Sequence, residues 1–328
     1  MPPKIGGMTQ KSTQAQNTRG QPRRFTLMLT GEDVLDEQGD NQARQGLPHE
    51  RFLLGEKVPL APILLLGQST TNFDSNLEIA CLQPVHLHAT RDHLILMGQN
   101  QIDLTKTESE KLLNTVLPLL EEDFGSSLLF QNQHYWFIPA GPFRNLASYS
   151  VDQACGRNID WWMPHDKHEQ GIAKRWRKLQ NEIQMLWHID SVNEERQSKG
   201  LPSINSIWIS GIGKLSDVSV PSVLTHASKI FGEHPLLPGL AKFCGIPFST
   251  SVSTDQYAGT FAWVDNPEII WSQLANQLAN KELDEVLIID FPNGNVRERK
   301  FTLSDIQKKS WMFWKNSELL TWNDLIQS

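Results

Sequence analysis

The sequence lacks several features that would place it in a protein class at once. It has three cysteines among 328 residues, and Cys81, Cys155 and Cys244 are widely spaced with no CxxC pair. Such thiols argue against a disulfide scaffold or a zinc ribbon and favour a reducing compartment. No apolar run approaches the ~20 residues of a membrane-spanning helix, and residues 59–67 are interrupted by proline. We therefore expect a cytoplasmic protein without a membrane span.

Acidic residues are absent from the start of the chain. Residues 1–24 carry only cations, namely Lys4, Lys11, Arg19, Arg23 and Arg24. Removing these five charges from the formal net charge of −7 leaves −12 for the rest, so nucleic-acid binding is not expected. Gln, Thr, Gly and Pro dominate this segment, which predicts a disordered basic tail. Residues 25–328 are expected to form a single body, or one divided near residues 150–170.

Helical and strand patterns alternate along the body. Two apolar patterns predict β-hairpins, at residues 85–97 and around residues 131–133. A capping box at Thr105 or Thr107 predicts a helix ending at Gly125, and a buried stripe predicts a second helix over residues 170–188. Residues 286–290 and 296–301 predict two strands joined by a turn. The expected fold is α/β, a mixed sheet with flanking helices and some antiparallel hairpins.

Other segments give further local predictions. Residues 58–66 fit a buried strand or a short helix, and Ser191 with Glu194 fits a capping box. Residues 204–209 predict a strand that enters a glycine turn at 211–213. Helices are expected from Pro221 and from residues 265–267, and a Trp-rich helical tail from Ser304.

The densest run of polar residues within apolar periodicity lies between Gly156 and Gly213. On the predicted helix, Asn181, Gln184 and His188 fall at steps of three and four and share one face. Amides and an imidazole suit ligand recognition, although an ordinary solvated face has the same composition. The candidate ligand-binding residues are Arg157, Asp160, Asn181, Gln184, His188, Asn193, Arg196, Asn205, Ser210, Gly211 and Gly213.

Some of these residues suggest an anionic ligand. Arg157 and Arg196 could hold a carboxylate or phosphate, or could form structural ion pairs with nearby acids. Gly211 and Gly213 followed by Lys214 suit a phosphate-cradling turn, and equally a plain tight turn. A small anionic ligand or a protein partner is therefore expected.

The candidate metal ligands are His86, His88, Asp92 and His93. His86 and His88 would share one face of a strand, and Asp92 adjoins His93. Exposed histidine pairs on strands are also common without a metal, and no serine lies in a GxSxG elbow. The sequence thus shows no complete catalytic signature.

Three segments resemble the RpfE-type regulatory protein family. They are Gly-Arg-Asn-Ile-Asp at 156–160, Leu-Gln-Asn-Glu-Ile-Gln-Met at 179–185, and a third run with Val192, Asn193, Arg196, Gly200, Pro202, Asn205, Ser206, Trp208, Ser210, Gly211 and Gly213. Pro84, His86, Asp92 and His93 fit the family more loosely.

This resemblance implies two alternative functions. Members of the family are often labelled cofactor-independent phosphoglycerate mutase, which implies an alkaline-phosphatase-like fold with two divalent metals and a phosphorylated serine. The serine and the paired Asp and His ligands of such enzymes are not matched here. We therefore expect a regulatory or ligand-binding protein of unknown cofactor. The alternative is a metal-dependent mutase or phosphatase that acts on a small phosphorylated metabolite, and only this alternative implies a divalent metal.

Overall fold

The computed structural model describes residues 22–33, 44–70, 72–251, 257–307 and 319–326. Its strands are β1 (Arg24–Met28), β2 (Ile79–Ala89), β3 (Leu94–Met97), β4 (Phe130–Gln131), β5 (Trp136–Pro139), β6 (Leu146–Ala147), β7 (His165–Asp166), β8 (Ser206–Gly213), β9 (Lys229–Gly232), β10 (Phe248–Ser249), β11 (Thr260–Trp263), β12 (Glu285–Asp290) and β13 (Arg297–Phe301). Its helices are α1 (Pro48–Leu54), α2 (Leu60–Gln68), α3 (Gln99–Ile102), α4 (Lys106–Phe124), α5 (Val151–Ala154), α6 (Ile172–His188), α7 (Ser191–Ser198), α8 (Leu237–Cys244), α9 (Pro267–Ala279), α10 (Leu303–Ile306) and α11 (Trp322–Ile326). None of the described helices is long and apolar enough to cross a membrane.

The strands form two main sheets of different type. The first has the order β10-β9-β11-β1-β12-β13 and is parallel except for the edge strand β13. The second is antiparallel and is built from β2, β3, β4, β5 and β8. The chain leaves the first sheet after β1, builds the second sheet, and returns at β9. This arrangement confirms the predicted α/β class with a mixed sheet and antiparallel hairpins.

Several local predictions are confirmed because their signals are local. Thr105 caps α4 by accepting a hydrogen bond from the backbone of Glu108, and Gly125 closes the helix in the left-handed region. The stripe on α6 is buried at Ile172, Trp176, Leu179 and Ile183. The hairpins β2–β3 and β4–β5 and the pair β12–β13 form as expected.

Other predictions need correction. Asp190 caps α7 through a hydrogen bond from the backbone of Val192, and Ser191 is the first helical residue. Gly211 and Gly213 lie within β8 and not in a turn after it. The helix expected from Pro221 is a single 3₁₀ turn, Ser222–Leu224. Residues 58–66 contain the start of helix α2, so the helical alternative holds.

The two ends of the chain are described in part. Of the tail predicted for residues 1–24, residues 1–21 lie outside the described residues. Arg24, the last residue of the predicted tail, is the first residue of β1. Arg23 and Arg24 form ion pairs with Asp284 and Glu285. Residues 308–318 are likewise outside the description, whereas Trp322 is buried against Trp271, with ring centres 6.0 Å apart.

One apolar cluster joins the two sheets. It contains Met28, Phe261 and Ile289 of the first sheet and Cys81 and Phe137 of the second. Helix α2 lies at its centre, because it packs against β2 and β8 on one side and against α8 on the other. The carboxyl ends of the parallel strands therefore open close to the contact between the sheets.

Candidate functional site

The predicted recognition face of α6 points to solvent. Asn181, Gln184 and His188 lie on one exposed side of the helix, as their spacing predicts. These three residues lie close to one another, but they are separate from the buried residues of the predicted set. Their role in binding stays a prediction.

Two other predicted residues, Asn193 and Asn205, use their side-chain amides to hold the backbone of neighbouring segments. The buried Asn193 amide donates to the carbonyls of Trp187 and Ile204 and accepts from the backbone of Ile204. Asn205 exchanges two hydrogen bonds with the backbone of Leu87, at 2.7 and 3.0 Å. These amides satisfy backbone groups that would otherwise be left without partners.

Arg196 is completely buried and uses its guanidinium in the same way. It donates to the carbonyls of Pro202, Asp103 and Ile102 and pairs with Glu108 at 3.0 Å. Of the alternatives open for this residue, the described contacts correspond to the structural ion pair.

Ser210, Gly211 and Gly213 lie where the second sheet meets α2. The Ser210 hydroxyl is 3.4 Å from the amide oxygen of Gln83. A Cβ atom on Gly211 would lie 2.6 Å from Leu60 Cβ, and one on Gly213 would lie 2.5 Å from Pro59 Cβ. These glycines thus allow the start of α2 to approach the strand, which explains their spacing without an anion.

The candidate histidines are not arranged as a metal site. The rings of His86 and His88 are 5.7 Å apart, His86 Nδ1 is 2.7 Å from the carbonyl of Ser203, and His93 Nδ1 is 2.8 Å from Asp92. Within the described ranges, no three His, Cys, Asp or Glu side chains are grouped to hold a metal ion. The donors present there do not fit a metal centre.

Arg157 and Asp160 lie in the segment that follows α5. Asp160 is exposed, and its backbone N–H donates to the side chain of Asn158 at 3.0 Å. The Arg157 guanidinium lies over the Trp162 ring, 5.3 Å from its centre. The two residues do not form an ion pair with each other.

A group of residues that the sequence did not single out lies at the carboxyl edge of the parallel sheet. The chain segments after β1, β9 and β11 bring Thr30, His234 and Asp265 to this edge. The His234 ring stacks on Trp263 at 3.6 Å, and His49 of α1 meets the same indole edge-on at 4.8 Å. Ligands of open α/β sheets bind in the crevice outside such strand ends.

Both imidazoles at this edge are neutral at neutral pH. Burial lowers the pKa of His49 to about 4, and burial also lowers the pKa of His234 to about 3. The backbone N–H of Gly31 donates to His49 Nδ1 at 3.0 Å, and His234 Nδ1 accepts from the backbone of Leu236 at 3.3 Å. Neutral rings can accept or donate one hydrogen bond at each nitrogen, without adding charge.

A pocket of about 480 Å³ opens beside His234. We call it the carboxyl-edge pocket, and its walls include Tyr257, Trp263, Asp265, Asn266, Ile269 and Gln273. Asp265 accepts from Thr30 Oγ1 at 3.1 Å, and the Tyr257 hydroxyl donates to Gln273 at 2.9 Å. Ile269 is 71% exposed at its rim.

A smaller cavity of about 30 Å³ lies on the other side of His234, between the two sheets. We call it the junction cavity, and Glu50, Gln83, Tyr135, Ser150, Asp152 and Ser210 are among its walls. Glu50 Oε2 accepts from the backbone of Leu47 at 2.6 Å and from Ser150 at 3.3 Å. Burial raises the pKa of Glu50 to about 8 and also raises the pKa of Tyr135. A neutral carboxylic acid here can donate a hydrogen bond.

Ser210 is the one predicted residue among the walls of the junction cavity, and none of the predicted residues lines the carboxyl-edge pocket. The sequence signal for the others is weak, because β9 and β11 are four residues long and were not predicted as strands. The usable signal is positional, namely a polar residue at the second position after each strand, as at His234 after β9 and Asp265 after β11.

Comparisons with known proteins identify no family. No family model matches the sequence, and no curated protein does. The cofactor-independent phosphoglycerate mutase from Thermoplasma acidophilum DSM 1728 aligns over 85% of this chain and 89% of its own, at 12% identity and a TM-score of 0.35. The PH0037 protein from Pyrococcus horikoshii aligns over 82% of each chain, at 10% identity and a TM-score of 0.38. Structural similarity at this level is weak and carries no functional conclusion.

Proposed function

We propose that this protein binds a small organic molecule in the carboxyl-edge pocket. The observation that carries the proposal is the position and size of the pocket, which lies outside the carboxyl ends of β9 and β11 and has a volume of about 480 Å³. Small-molecule sites have volumes of roughly 300–1,000 Å³, with mostly apolar walls and a few polar groups. Val264, Ile269 and Ile270 supply apolar wall here, and Asn266 and Gln273 supply polar groups.

The charges around the pocket favour a neutral or cationic ligand. Among the described residues that line it, Glu233 and Asp265 are acidic and none is Lys or Arg. His234 adds no positive charge, because its pKa is lowered by burial. An anion would therefore meet two carboxylates without a compensating cation.

We infer a regulatory role for this binding, in which the ligand is the signal. The support is the resemblance of residues 156–213 to RpfE-type regulatory proteins, together with the absence of a complete catalytic motif from the sequence. The alternative, a metal-dependent mutase or phosphatase, needs a cluster of donors that the described residues do not form. We therefore place ligand binding first.

A pocket-blocking variant tests the proposal. Ile269→Trp would fill the rim, and Ile189→Trp is the matched control because Ile189 is 75% exposed at the end of α6. Ligand-observed NMR with uncharged, cationic and anionic aromatic fragments measures binding to each protein. We expect uncharged or cationic fragments to bind the wild type and Ile189→Trp, and to lose binding to Ile269→Trp. Equal binding to all three proteins, or binding of anionic fragments alone, would contradict the proposal.

A further inference from the structure

We propose that Arg157 and Trp162 form a binding site for a small oxyanion, separate from the carboxyl-edge pocket. Both lie in the segment between α5 and β7, which is held beside the edge strand β3. The backbone N–H of Gly156 donates to the carbonyl of Leu96 at 2.9 Å, and Ile95 and Asn158 form a β-bridge. The backbone that carries the two side chains is thus fixed in place.

Arg157 has a buried donor without an acceptor. Its Nη1 atom is inaccessible to solvent and has no hydrogen-bond partner, and among the described residues no carboxylate pairs with the side chain. The guanidinium lies 5.3 Å from the centre of the Trp162 ring, within the range of a cation–π contact. That contact orients the group but does not satisfy its N–H donors, because a ring face accepts weakly.

Trp162 has a second such donor. The side chain is fully buried, packed edge-on against Tyr149 at 5.1 Å, and its Nε1 atom has no partner. Several other buried indoles in the described chain do have partners. Trp208, in the same apolar cluster, donates to the carbonyl of Tyr149 at 2.8 Å, and Trp187 donates to that of Leu112 at 3.0 Å.

The chemistry of the two donors selects the ligand. Buried donors in native proteins are almost always paired, and a missing partner is commonly a water molecule or an ion. A water molecule could accept from both groups but would leave the guanidinium charge uncompensated in a partly buried site. A bound carboxylate or phosphate would supply oxygen acceptors for these donors and would also compensate the charge.

Trp176 supplies a matched comparison. Its Nε1 is also buried and without a partner, but the neighbouring Arg175 pairs with Asp123 at 2.9 Å. An unpaired indole is therefore present there without an unpaired guanidinium. The proposal predicts no anion site at Trp176.

The experiment measures anion binding to the full chain. Isothermal titration calorimetry with sodium phosphate and with sodium acetate, at constant ionic strength balanced by sodium chloride, is applied to the wild type, Arg157→Gln, Trp162→Phe and Trp176→Phe. We expect both site variants to bind roughly tenfold or more weakly, because each loses a hydrogen bond to a charged group. Trp176→Phe and the pocket variant Ile269→Trp should bind like the wild type. Circular dichroism confirms that each variant is folded, and the uncharged Arg157→Met replaces Arg157→Gln if that variant is not.

The anion affinities of the wild type and the variants either support the proposal or contradict it. Binding of phosphate alone supports a phosphate-bearing ligand, and binding of both anions supports a general oxyanion site. The proposal is wrong if the wild type binds neither anion, or if Arg157→Gln and Trp162→Phe bind as tightly as the wild type. Since Ile269→Trp tests the other pocket, the two proposals fail independently.

Discussion

At the scale of single residues, Glu50 shows best how burial changes chemistry. It lies in the first turn of α1, where the helix dipole normally stabilises a charged carboxylate. Its side chain is nevertheless buried, with 2% of its surface exposed. Burial raises its pKa from 4.5 to about 8, and the nearby carboxylates Asp152 and Asp33 add to the rise. At neutral pH the group is therefore mostly a neutral acid.

This shift makes Glu50 a source of pH-dependent stability. Between pH 4.5 and about 8 the unfolded chain loses the Glu50 proton while the folded chain keeps it, so the free energy of unfolding falls as pH rises through this range. His49 and His234 act in the opposite direction from about pH 3 to 6.5, since their pKa values are lowered in the folded protein. A comparison of two proteins at the same pH cancels the histidine contribution.

We predict that Glu50→Gln removes this dependence, since the amide oxygen can still accept from Leu47 and Ser150. Relative to the wild type, the variant should become more stable by up to about 1.4 kcal/mol per pH unit between about pH 5 and 8. Urea denaturation at matched pH values measures the difference. A constant difference across this range would show that Glu50 ionises normally in the folded protein.

At the scale of elements, the start of α7 shows which of two neighbouring residues caps the helix. Asp190 and Ser191 could each serve as the cap from the sequence alone. Ser191 and Glu194 have the spacing of a capping box, but the helix begins one residue earlier. Asp190 Oδ1 accepts from the backbone of Val192 at 2.8 Å, and Oδ2 accepts from Thr115 of α4 at 2.9 Å. The contact with α4 shows why a local pattern was not sufficient to choose the cap.

We predict that Asp190→Ala lowers the free energy of unfolding by about 1–2 kcal/mol, because it removes the cap and the link to α4. Ser191→Ala is the control, and it should change stability by less than about 0.5 kcal/mol, since Ser191 is exposed within the helix. Chemical denaturation of both variants measures the difference. If Ser191→Ala were the more destabilising change, the capping box predicted from the sequence would be correct after all.

At the scale of the whole molecule, the contact between the two sheets is apolar and continuous. Cys81 of β2 is fully buried in the same cluster as residues of the parallel sheet, and burial raises the pKa of its thiol. Such a thiol reacts slowly, because the thiolate is the nucleophile and the site is closed to reagents. Its reactivity therefore reports the opening of the contact between the sheets.

We predict that the described residues unfold as one cooperative unit. This is the behaviour expected if residues 25–328 form a single body. In a Cys155→Ser/Cys244→Ser protein, where Cys81 is the remaining thiol, labelling with a thiol reagent should rise at the same urea concentration at which far-UV circular dichroism is lost. Labelling at a lower urea concentration would mean that the two sheets separate first and that the body is divided. Cys155 and Cys244 are half-buried, so their replacement should disturb the core little.

The sequence determined the features whose causes lie within a short stretch of chain. The cap and stop of α4, the buried stripe of α6, and the hairpins β2–β3 and β4–β5 depend on neighbours a few residues apart, and these were predicted. The exposed face of α6 follows from the same periodicity, since its polar residues lie opposite the buried stripe.

Only the tertiary structure decided which side chains meet. His49, His234 and Trp263 are far apart in the chain, and they come together because parallel strands end at the same edge of a sheet. Arg196 and Asn193 were predicted to bind a ligand, but in the folded protein their side chains donate hydrogen bonds to backbone carbonyls. Arg157 and Arg196 are both arginines beside acidic residues in the sequence, yet one is fully paired and the other is not. Burial and long-range pairing set that difference, and neither is encoded in the spacing of residues along the chain.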